Sequence, residues 1–191
     1  MDTSTVEIVA HELLTLTRQS GFDPTMMRSE ITAVVQPFVV DDSALTELFT
    51  AHGMTIEGAE NSRTVFYSPE LIFVLSKFRT DFILPTHNHY MWNFLVICKG
   101  AMHFRWFRRL DDGSVPGRAQ LEVGEDVVVR TGEVAFIAPP PHDIHELAII
   151  EDGTWMLTVT PMPEPPDREI YDVAAGTYEF RRLGVADRAM V

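Results

Sequence analysis

The sequence is poor in cysteine, with Cys98 as the one thiol in 191 residues. A single cysteine cannot form an intrachain disulfide, so the fold must be stabilised by its apolar core, and a reducing, cytoplasmic compartment is expected. Apolar residues make up 46% of the chain, which is ordinary for a globular domain of this length. We therefore expect Cys98 to be a small buried apolar residue and not a reactive thiol.

Basic residues are also scarce, since 15 Lys and Arg face 28 Asp and Glu and the formal net charge is −13. Nucleic-acid binding requires a basic face that displaces counterions, and docking on anionic membranes requires the same sign of charge. The sequence also lacks a basic N-terminal region followed by an apolar run, and it lacks an apolar stretch of transmembrane length. We expect no nucleic-acid partner, no membrane association and no signal peptide.

The N-terminal third of the chain has the apolar periodicity of helices, with apolar residues at three- and four-residue steps. Three helices are predicted, over residues 6–17, 26–40 and 44–53. Asp42 or Ser43 is the expected cap of the third helix. Residues 1–58 are therefore predicted to form a helical segment that packs on the rest of the domain.

After about residue 60 the sequence changes to short β-branched and aromatic runs separated by turn residues, which is typical of a sandwich or barrel. No alternation of strands and long helices is present, which argues against a doubly wound sheet. Residues 59–191 are predicted to form a barrel with a C-terminal wrap, in which Pro161 to Pro166 is a stiff extended link that acts as a spacer. The predicted strands are 64–67, 71–78, 92–99, 102–107, 120–123, 126–130, 134–137, 146–150, 155–160 and 178–181.

Two histidines, His87 and His89, stand at positions i and i+2 of a run expected to be extended. Alternate side chains of a strand point to the same face, so two imidazoles would lie side by side, as a metal requires. Two more histidines, His142 and His145, follow the proline cluster 139–141. Either would add a third imidazole from a facing strand, and the spacing alone leaves both open.

The residues that surround these histidines resemble the motifs of a known family. The His-x-His pattern is followed by an apolar strand that ends at Gly100, then by Gly132, the proline cluster and a further histidine. This arrangement resembles the two motifs of the cupin superfamily and extends over residues 60–162. The resemblance implies an all-β fold, a cupin double-stranded β-helix (jelly-roll barrel) with the N-terminal helical segment added. It also implies that the third metal ligand is His145, at the start of the strand after the proline turn.

A closer resemblance involves residues 63–70 and 84–92, which are similar to segments of the cysteine dioxygenase-like branch of cupins. That branch implies Fe(II) held by three histidines, with a small anionic thiol and O2 as reactants. It also implies that an arginine ahead of the barrel, here Arg63, binds the substrate carboxylate, for which a guanidinium is well shaped. Imidazole ligands suit several divalent metals, so Zn, Ni, Cu and Mn stay open as alternatives.

Two aromatic residues are further candidates for substrate binding. Trp92 lies three residues after His89, and Tyr67 lies near the start of the predicted barrel, four residues after Arg63. Both are predicted to reach the pocket, and packing within the strands is the alternative for each.

The sequence departs from the general cupin pattern at one place and from the cysteine dioxygenase-like pattern at two. Many cupins add a glutamate shortly after His-x-His, but residues 90–94 contain no carboxylate. The branch typically carries Ser-x-His-x-Tyr on a late strand, where this chain has Met156, Thr158 and Thr160. Some members have a cross-linking cysteine at the position of Phe94. The resemblance therefore covers the metal ligands and not the surrounding thiol-oxidising residues.

Three functions follow as hypotheses. The leading one is a mononuclear Fe(II) dioxygenase or oxygenase that acts on a small anionic substrate with O2, with His87, His89 and His145 as ligands and Arg63 as the carboxylate anchor. The second is a cupin that uses Zn or another non-redox metal for hydrolase, lyase or isomerase chemistry. The third is a metal- or ligand-binding cupin without turnover. A homodimer is compatible with each of them.

Overall fold

The computed structural model describes residues 3–51, 53–56 and 59–182. Its N-terminal quarter contains three helices: α1 (Thr3–Thr17), α2 (Arg28–Val35) and α3 (Asp42–Ala51). A single 3-10 turn, Gln36–Phe38, follows α2 and accounts for the shorter helix there, because Pro37 lies at its start and cannot continue the α-helical hydrogen bonds. Among the described helices, none combines the length and apolar character needed to cross a membrane.

The cap of α3 differs from the prediction by one residue. The cap is Asp41, not Asp42 or Ser43. The Ala44 backbone nitrogen donates to Asp41 Oδ1 at a distance of 3.0 Å. The Asp42 carboxylate instead accepts hydrogen bonds from Trp155 Nε1 at 2.8 Å and from the ammonium of a nearby lysine. Asp42 therefore attaches α3 to the barrel, which a cap prediction based on local sequence does not anticipate.

The described remainder of the chain forms two six-stranded sheets in which neighbouring strands are antiparallel. The strands are β1 (Met54–Ile56), β2 (Ala59–Tyr67), β3 (Leu71–Phe78), β4 (Ile83–His87), β5 (Asn93–Lys99), β6 (Ala101–Arg109), β7 (Leu121–Arg130), β8 (Val134–Ile137), β9 (His145–Ile149), β10 (Thr154–Pro161), β11 (Asp167–Asp172) and β12 (Thr177–Arg182). One sheet has the order β1-β2-β3-β10-β5-β8 and the other β12-β11-β4-β9-β6-β7. This arrangement confirms the predicted all-β jelly-roll class with an N-terminal helical addition.

Strands β1, β4 and β11 were not predicted, and β7 was predicted as two strands. β4 contains Pro85, which lacks a backbone donor, and its pairing with β9 shifts register between Leu84 and His87. β11 is largely polar, so its sequence lacks a strand-like apolar pattern. β7 is continuous through Gly124, which is the extra residue of a bulge opposite Trp106 and Phe107 of β6.

Two apolar layers lie on opposite faces of the first sheet. Phe94, Val96 and Cys98 of β5 pack towards the helices, whereas Leu95 and Ile97 pack into the space between the sheets. β5 is therefore buried on both faces and reads as a continuous apolar run. Cys98 is fully buried and burial raises the pKa of its thiol to about 12, which confirms its role as a small apolar core residue.

The predicted domain boundary falls beside residues 57 and 58, and the C-terminal wrap ends within residues 183–191, both of which lie outside the described residues. The division into residues 1–58 and 59–191 therefore stays a prediction. Within the described part, helices α1 and α3 contact β2, which agrees with a helical segment that packs on the barrel.

Candidate metal centre

Three histidines meet at one end of the second sheet. His87 is the last residue of β4, His145 is the first residue of β9, and the two are direct partners in the antiparallel ladder. His89 follows two residues after His87. The ring centroids are 4.4 Å apart for His87 and His145, 4.8 Å for His87 and His89, and 4.9 Å for His89 and His145. One nitrogen from each ring lies within 4.8 Å of the other two, so the cluster can hold a metal ion.

The backbone fixes the tautomers of two of these rings. His87 Nδ1 lies 2.8 Å from the Pro85 carbonyl oxygen, and His145 Nδ1 lies 3.0 Å from the Asp143 carbonyl oxygen. A carbonyl only accepts, so both Nδ1 atoms carry the proton and both Nε2 atoms keep a free lone pair. His87 Nε2 also lies 2.9 Å from His89 Nε2. Donation of Nδ1–H to a backbone carbonyl is the arrangement that orients histidines as metal ligands, with Nε2 directed at the metal.

The loop that carries His89 is fixed by Asp143. The backbone nitrogens of His89 and Tyr90 donate to Asp143 Oδ2 at 3.1 and 2.7 Å, and the Asp143 side chain is buried. Tyr90 has a φ of +60°, an uncommon conformation that this double hydrogen bond holds in place. Asp143 thus connects the loop after β4 to the loop before β9, which places the second histidine beside the other two.

Burial keeps the three imidazoles neutral. It lowers the pKa of His87 to about 4 and lowers the pKa values of His89 and His145 well below the ordinary value, and the nearby positive charge of Arg168 adds to each of these effects. Neutral imidazole is the form that binds metals, so the cluster is ready to bind at neutral pH without losing protons.

Asn93 also fits a metal-bound cluster. Its Nδ2 lies 3.3 Å from His89 Nδ1, and its buried Oδ1 has no hydrogen-bond partner among the described residues. A metal at His89 Nε2 requires the proton on Nδ1, which then needs an acceptor. Rotation of the Asn93 amide by half a turn presents Oδ1 to that proton. The donor set, its tautomers and this amide therefore fit a divalent metal held by three imidazoles.

The cluster opens into a cavity of about 190 Å³ between the two sheets. Its walls are mostly aliphatic, and its polar groups gather near the histidines. The lining residues are Val74, Leu84, His87, His89, Asn93, Leu95, His145, Leu147, Met156, Thr158, Thr160, Glu164 and Arg168. Met156, Thr158 and Thr160 line the cavity together, because alternate residues of β10 face the same side.

Arg63 lies away from this cavity, contrary to the predicted role of carboxylate anchor. Its guanidinium carbon lies 4.5 Å from the ring centroid of Phe49, and Nη1 donates to the Ser62 carbonyl. Arg63 is the ladder partner of Leu75, whose side chain belongs to the core beneath the helices. The pleat of β2 and β3 therefore directs the Arg63 side chain to the helix-facing side, while Val74 faces the cavity.

The two aromatic candidates are also absent from the cavity wall. Trp92 stacks on Phe94 with a centroid distance of 4.7 Å and contacts Phe22 at 5.5 Å, so it packs in the layer between sheet and helices. Tyr67 is 41% exposed near the end of β2. Trp92 is therefore a packing residue, and Tyr67 is an exposed strand residue. His142 is exposed in its turn, and the structure groups His145 with the other two histidines.

Two charged residues that the sequence analysis did not identify line the cavity instead. Arg168 is 2% exposed, its Nη2 forms an ion pair with Glu164, and its Nη1 donates to the Asn88 carbonyl at 3.1 Å. Burial lowers the pKa of Arg168 to about 10, so it stays charged at neutral pH. Glu164 belongs to the segment from Pro161 to Pro166, which was predicted to be a spacer, and Arg168 follows it as the second residue of β11. The adjacent prolines indicated an extended course, and no local pattern indicated that it crosses the cavity.

No protein-family model and no curated protein sequence matches the chain. Solved structures do resemble it in fold. A cupin superfamily protein from Desulfitobacterium hafniense is 16% identical, with a TM-score of 0.39 over 52% of this chain and 74% of that one. A cupin-2 domain containing protein from Shewanella frigidimarina is 15% identical, with a TM-score of 0.41 over 66% of this chain and 98% of that one. A hydroquinone 1,2-dioxygenase in complex with Cd²⁺ and 4-hydroxybenzonitrile is 10% identical, with a TM-score of 0.41 over 57% of this chain and 71% of that one.

At these identities and TM-scores the likeness concerns the fold alone. Assignment to the cysteine dioxygenase-like branch stays a prediction from the sequence motifs.

Proposed function

We propose that this protein is a metal-dependent cupin enzyme, a mononuclear Fe(II) oxygenase that acts on a small anionic substrate. The observation that carries the proposal is the convergence of His87, His89 and His145, with the Nδ1 atoms of His87 and His145 tied to backbone carbonyls, inside a cavity. When bound, Fe(II) supplies a cationic centre that chelating anions bind and that makes reaction with O2 possible. The choice of iron rests on the resemblance of the sequence motifs.

The cavity limits the size and shape of the substrate. Its 190 Å³ correspond to the volume of about six water molecules, so the substrate is a small molecule. The aliphatic walls accommodate a short apolar part, while the histidine end takes an anionic or chelating group. Arg168, not Arg63, is the cation at this end, and its ion pair with Glu164 leaves the metal charge itself to be balanced by the substrate.

A second function, metal-dependent chemistry without redox change, is supported by two observations. Met156, Thr158 and Thr160 line the cavity in place of the Ser, His and Tyr that accompany iron in the thiol dioxygenases the motifs resemble. Glu164 adds a buried carboxylate, the kind of group that serves as base in hydrolase, lyase and isomerase sites. Zn or another non-redox metal would be the cofactor in that case.

The test compares metals on the full chain. Protein purified without added metal is analysed for metal content, then loaded anaerobically with Fe(II), and O2 consumption is measured with cysteine, 3-mercaptopropionate, cysteamine, a hydroxy acid and a diketone. Uptake with one substrate, lost in His87→Ala and kept in His142→Ala, supports the oxygenase. Failure to bind any divalent metal overturns the proposal.

Two further outcomes separate the alternatives. Bound iron without O2 uptake, together with turnover of an ester or hydroxy acid by the zinc form, favours the non-redox enzyme. Metal binding without turnover of any substrate favours a ligand-binding cupin.

A further inference from the structure

Asn88, the residue between His87 and His89, is bonded to β11 through its backbone and through both ends of its side-chain amide. Its backbone nitrogen donates to the Glu169 carbonyl at 3.2 Å, and its Nδ2 donates to Glu169 Oε2 at 3.1 Å. Its Oδ1 accepts from the Glu169 backbone nitrogen at 2.9 Å, and its carbonyl accepts from Arg168 Nη1 at 3.1 Å. Four hydrogen bonds thus connect one loop residue to a strand 80 or 81 residues later in the chain.

These hydrogen bonds continue the pairing of β11 with β4. Ile170 of β11 is the ladder partner of His87, the last residue of β4. Asn88 is 4% exposed, and a buried amide that donates at one end and accepts at the other is held in one orientation. The His-x-His loop is therefore fixed from two sides, at Asn88 by β11 and at His89 by the carboxylate of Asp143.

The Glu169 carboxylate is itself held by residues outside the metal cavity. The Tyr171 hydroxyl donates to the same Oε2 that accepts from Asn88, and Arg109 Nη1 lies 4.0 Å from it. Glu169 is not one of the described residues that line the cavity. Its side chain therefore acts on the histidines through Asn88 and not by contact with a metal or a substrate.

The position of His89 depends on the backbone at Asn88. β4 ends at His87, so the pleat of a strand does not set the direction of the His89 side chain. Ligand atoms of a metal site lie within about 0.2 Å of standard distances from the ion. A small displacement of the residue between two ligands is therefore sufficient to weaken metal binding.

We propose that Glu169 is a positioning residue of the metal centre that acts through Asn88, and that metal binding in turn stabilises the docking of the β11–β12 hairpin. The inference rests on the proposed function, since it requires a metal at the three histidines. Coupling between two equilibria is reciprocal, so a contact that tightens metal binding is itself tightened by the metal by the same factor. The hairpin is then part of the metal site without supplying a ligand.

The first variant replaces the donor of this contact by an acceptor. Asn88→Asp puts a carboxylate oxygen opposite Glu169 Oε2, so the hydrogen bond becomes a repulsion. We expect the zinc affinity of the folded, full-length protein to fall 10- to 100-fold. An added negative charge near a cation would by itself tighten binding, so positioning and electrostatics predict opposite signs for this variant.

The second variant exchanges donor and acceptor. In the double variant Asn88→Asp, Glu169→Gln, the amide introduced at position 169 donates to the carboxylate introduced at position 88, and the net charge equals that of the wild type. We expect the coupling between the two substitutions to restore zinc affinity to within about fivefold of wild type. Glu169→Gln alone keeps an acceptor oxygen for Asn88 and is expected to lose less than Asn88→Asp.

A matched control lies on the same hairpin. Glu179→Gln removes an exposed carboxylate of β12 that pairs with the exposed Arg181, and it is expected to bind zinc as the wild type does. Zinc affinity is measured by competition with a chromogenic chelator on protein shown to be folded by circular dichroism. The visible spectrum of the Co(II)-loaded protein reports the ligand geometry, and we expect it to change in Asn88→Asp and to be recovered in the double variant.

Hydrogen exchange measures the reciprocal effect. Amide exchange of residues 167–172, which form β11, is followed by mass spectrometry with and without zinc. We expect zinc to slow it at least about tenfold in the wild type, which is the lower bound of the affinity change, and to have little effect in Asn88→Asp. Helix α1 is the internal reference for global stabilisation.

The outcomes distinguish this inference from the proposed function. Unchanged zinc affinity in Asn88→Asp, or a double variant as weak as the single one, overturns the role of Glu169 and leaves the metal site intact. An equal effect of zinc on β11 and α1 in the wild type also overturns the inference, and this measurement decides if Asn88→Asp does not fold. Absence of zinc binding by the wild type contradicts the proposed function itself.

Discussion

His87 and His145 face each other as direct partners in the ladder of β4 and β9, with ring centroids 4.4 Å apart and each Nδ1 bonded to the carbonyl oxygen two residues earlier. The repeated hydrogen bond gives both rings the same tautomer. Two imidazoles from adjacent strands thus form a rigid pair to which His89 adds a third donor.

The first prediction concerns the choice of His145 over His142. His145→Ala removes one of three ligands, and we expect metal affinity to fall by more than about 100-fold. His142→Ala is the matched control, because His142 is exposed in the same loop and is expected to leave affinity unchanged. Metal content after gel filtration and the shift in unfolding temperature on adding metal provide the measurements. Loss of metal in His142→Ala with retention in His145→Ala would show that the wrong histidine has been assigned.

The second prediction concerns Asp143. Asp143→Ala removes the acceptor of two backbone hydrogen bonds, and we expect about 3 kcal/mol lower free energy of unfolding and 10- to 100-fold weaker metal binding. Asp143→Asn retains an acceptor oxygen and is expected to show a smaller loss of both. Urea denaturation and a competition assay with a metal-binding dye give the two quantities. Equal effects of Ala and Asn would mean that the charge, not the loop contact, is what matters.

The third prediction separates metal binding from stability at Asn93. Asn93→Leu removes the acceptor for the His89 Nδ1 proton, and we expect metal affinity to fall 10- to 100-fold. Because the amide already has an unsatisfied buried oxygen, an apolar replacement of similar shape is expected to change the stability of the metal-free protein by less than about 1 kcal/mol. Asn93 Nδ2 also donates to Thr160 Oγ1 at 2.9 Å, and a large loss of metal-free stability would indicate that this hydrogen bond is structural.

The fourth prediction is a pH dependence of the metal-free protein. The pKa of His87 falls from 6.5 to about 4 on folding, so the unfolded chain binds more protons between these values. Stability is therefore full above pH 6.5 and is lost as pH falls towards 4, by about 3 kcal/mol for this residue alone. Urea denaturation of the metal-free wild type and His87→Gln at pH 8, 6.5 and 5.5 measures the effect. A variant with the same pH slope as the wild type would contradict it.

The fifth prediction tests the two arginines. Arg63→Gln is expected to leave zinc content within about twofold of wild type and to lower the free energy of unfolding by about 1 kcal/mol through the lost contact with Phe49. Arg168→Gln is expected to lower the free energy of unfolding by about 3 to 5 kcal/mol, because it removes one partner of the buried ion pair with Glu164. Metal analysis and urea denaturation give the two quantities. Binding of a carboxylate ligand that is lost in Arg63→Gln would support the role of carboxylate anchor that the family resemblance implies for Arg63.

The sequence alone predicted the class of fold and the three histidines that cluster. Strand alternation predicted that the rings of His-x-His lie side by side. In the structure β4 ends at His87, and the hydrogen bonds of the following loop to Asp143 place His89 beside it. In the structure Met156, Thr158 and Thr160 share one face of β10 by the same rule of strand alternation. Apolar periodicity likewise predicted three helices and most strands, with β3 and β8 exact in their bounds.

Only the tertiary structure decided which face of each strand meets the cavity and what completes its wall. Alternation assigns Arg63 and Val74 to opposite faces but does not say which face the helices cover, and both faces of this sheet are buried. Glu164 and Arg168 reach the histidines because the chain returns across the barrel some 75 residues later, and a contact of that sequence separation leaves no local periodicity. The His87–His89 spacing was therefore a local signal, whereas the approach of His145 and of the charged pair was set by long-range packing.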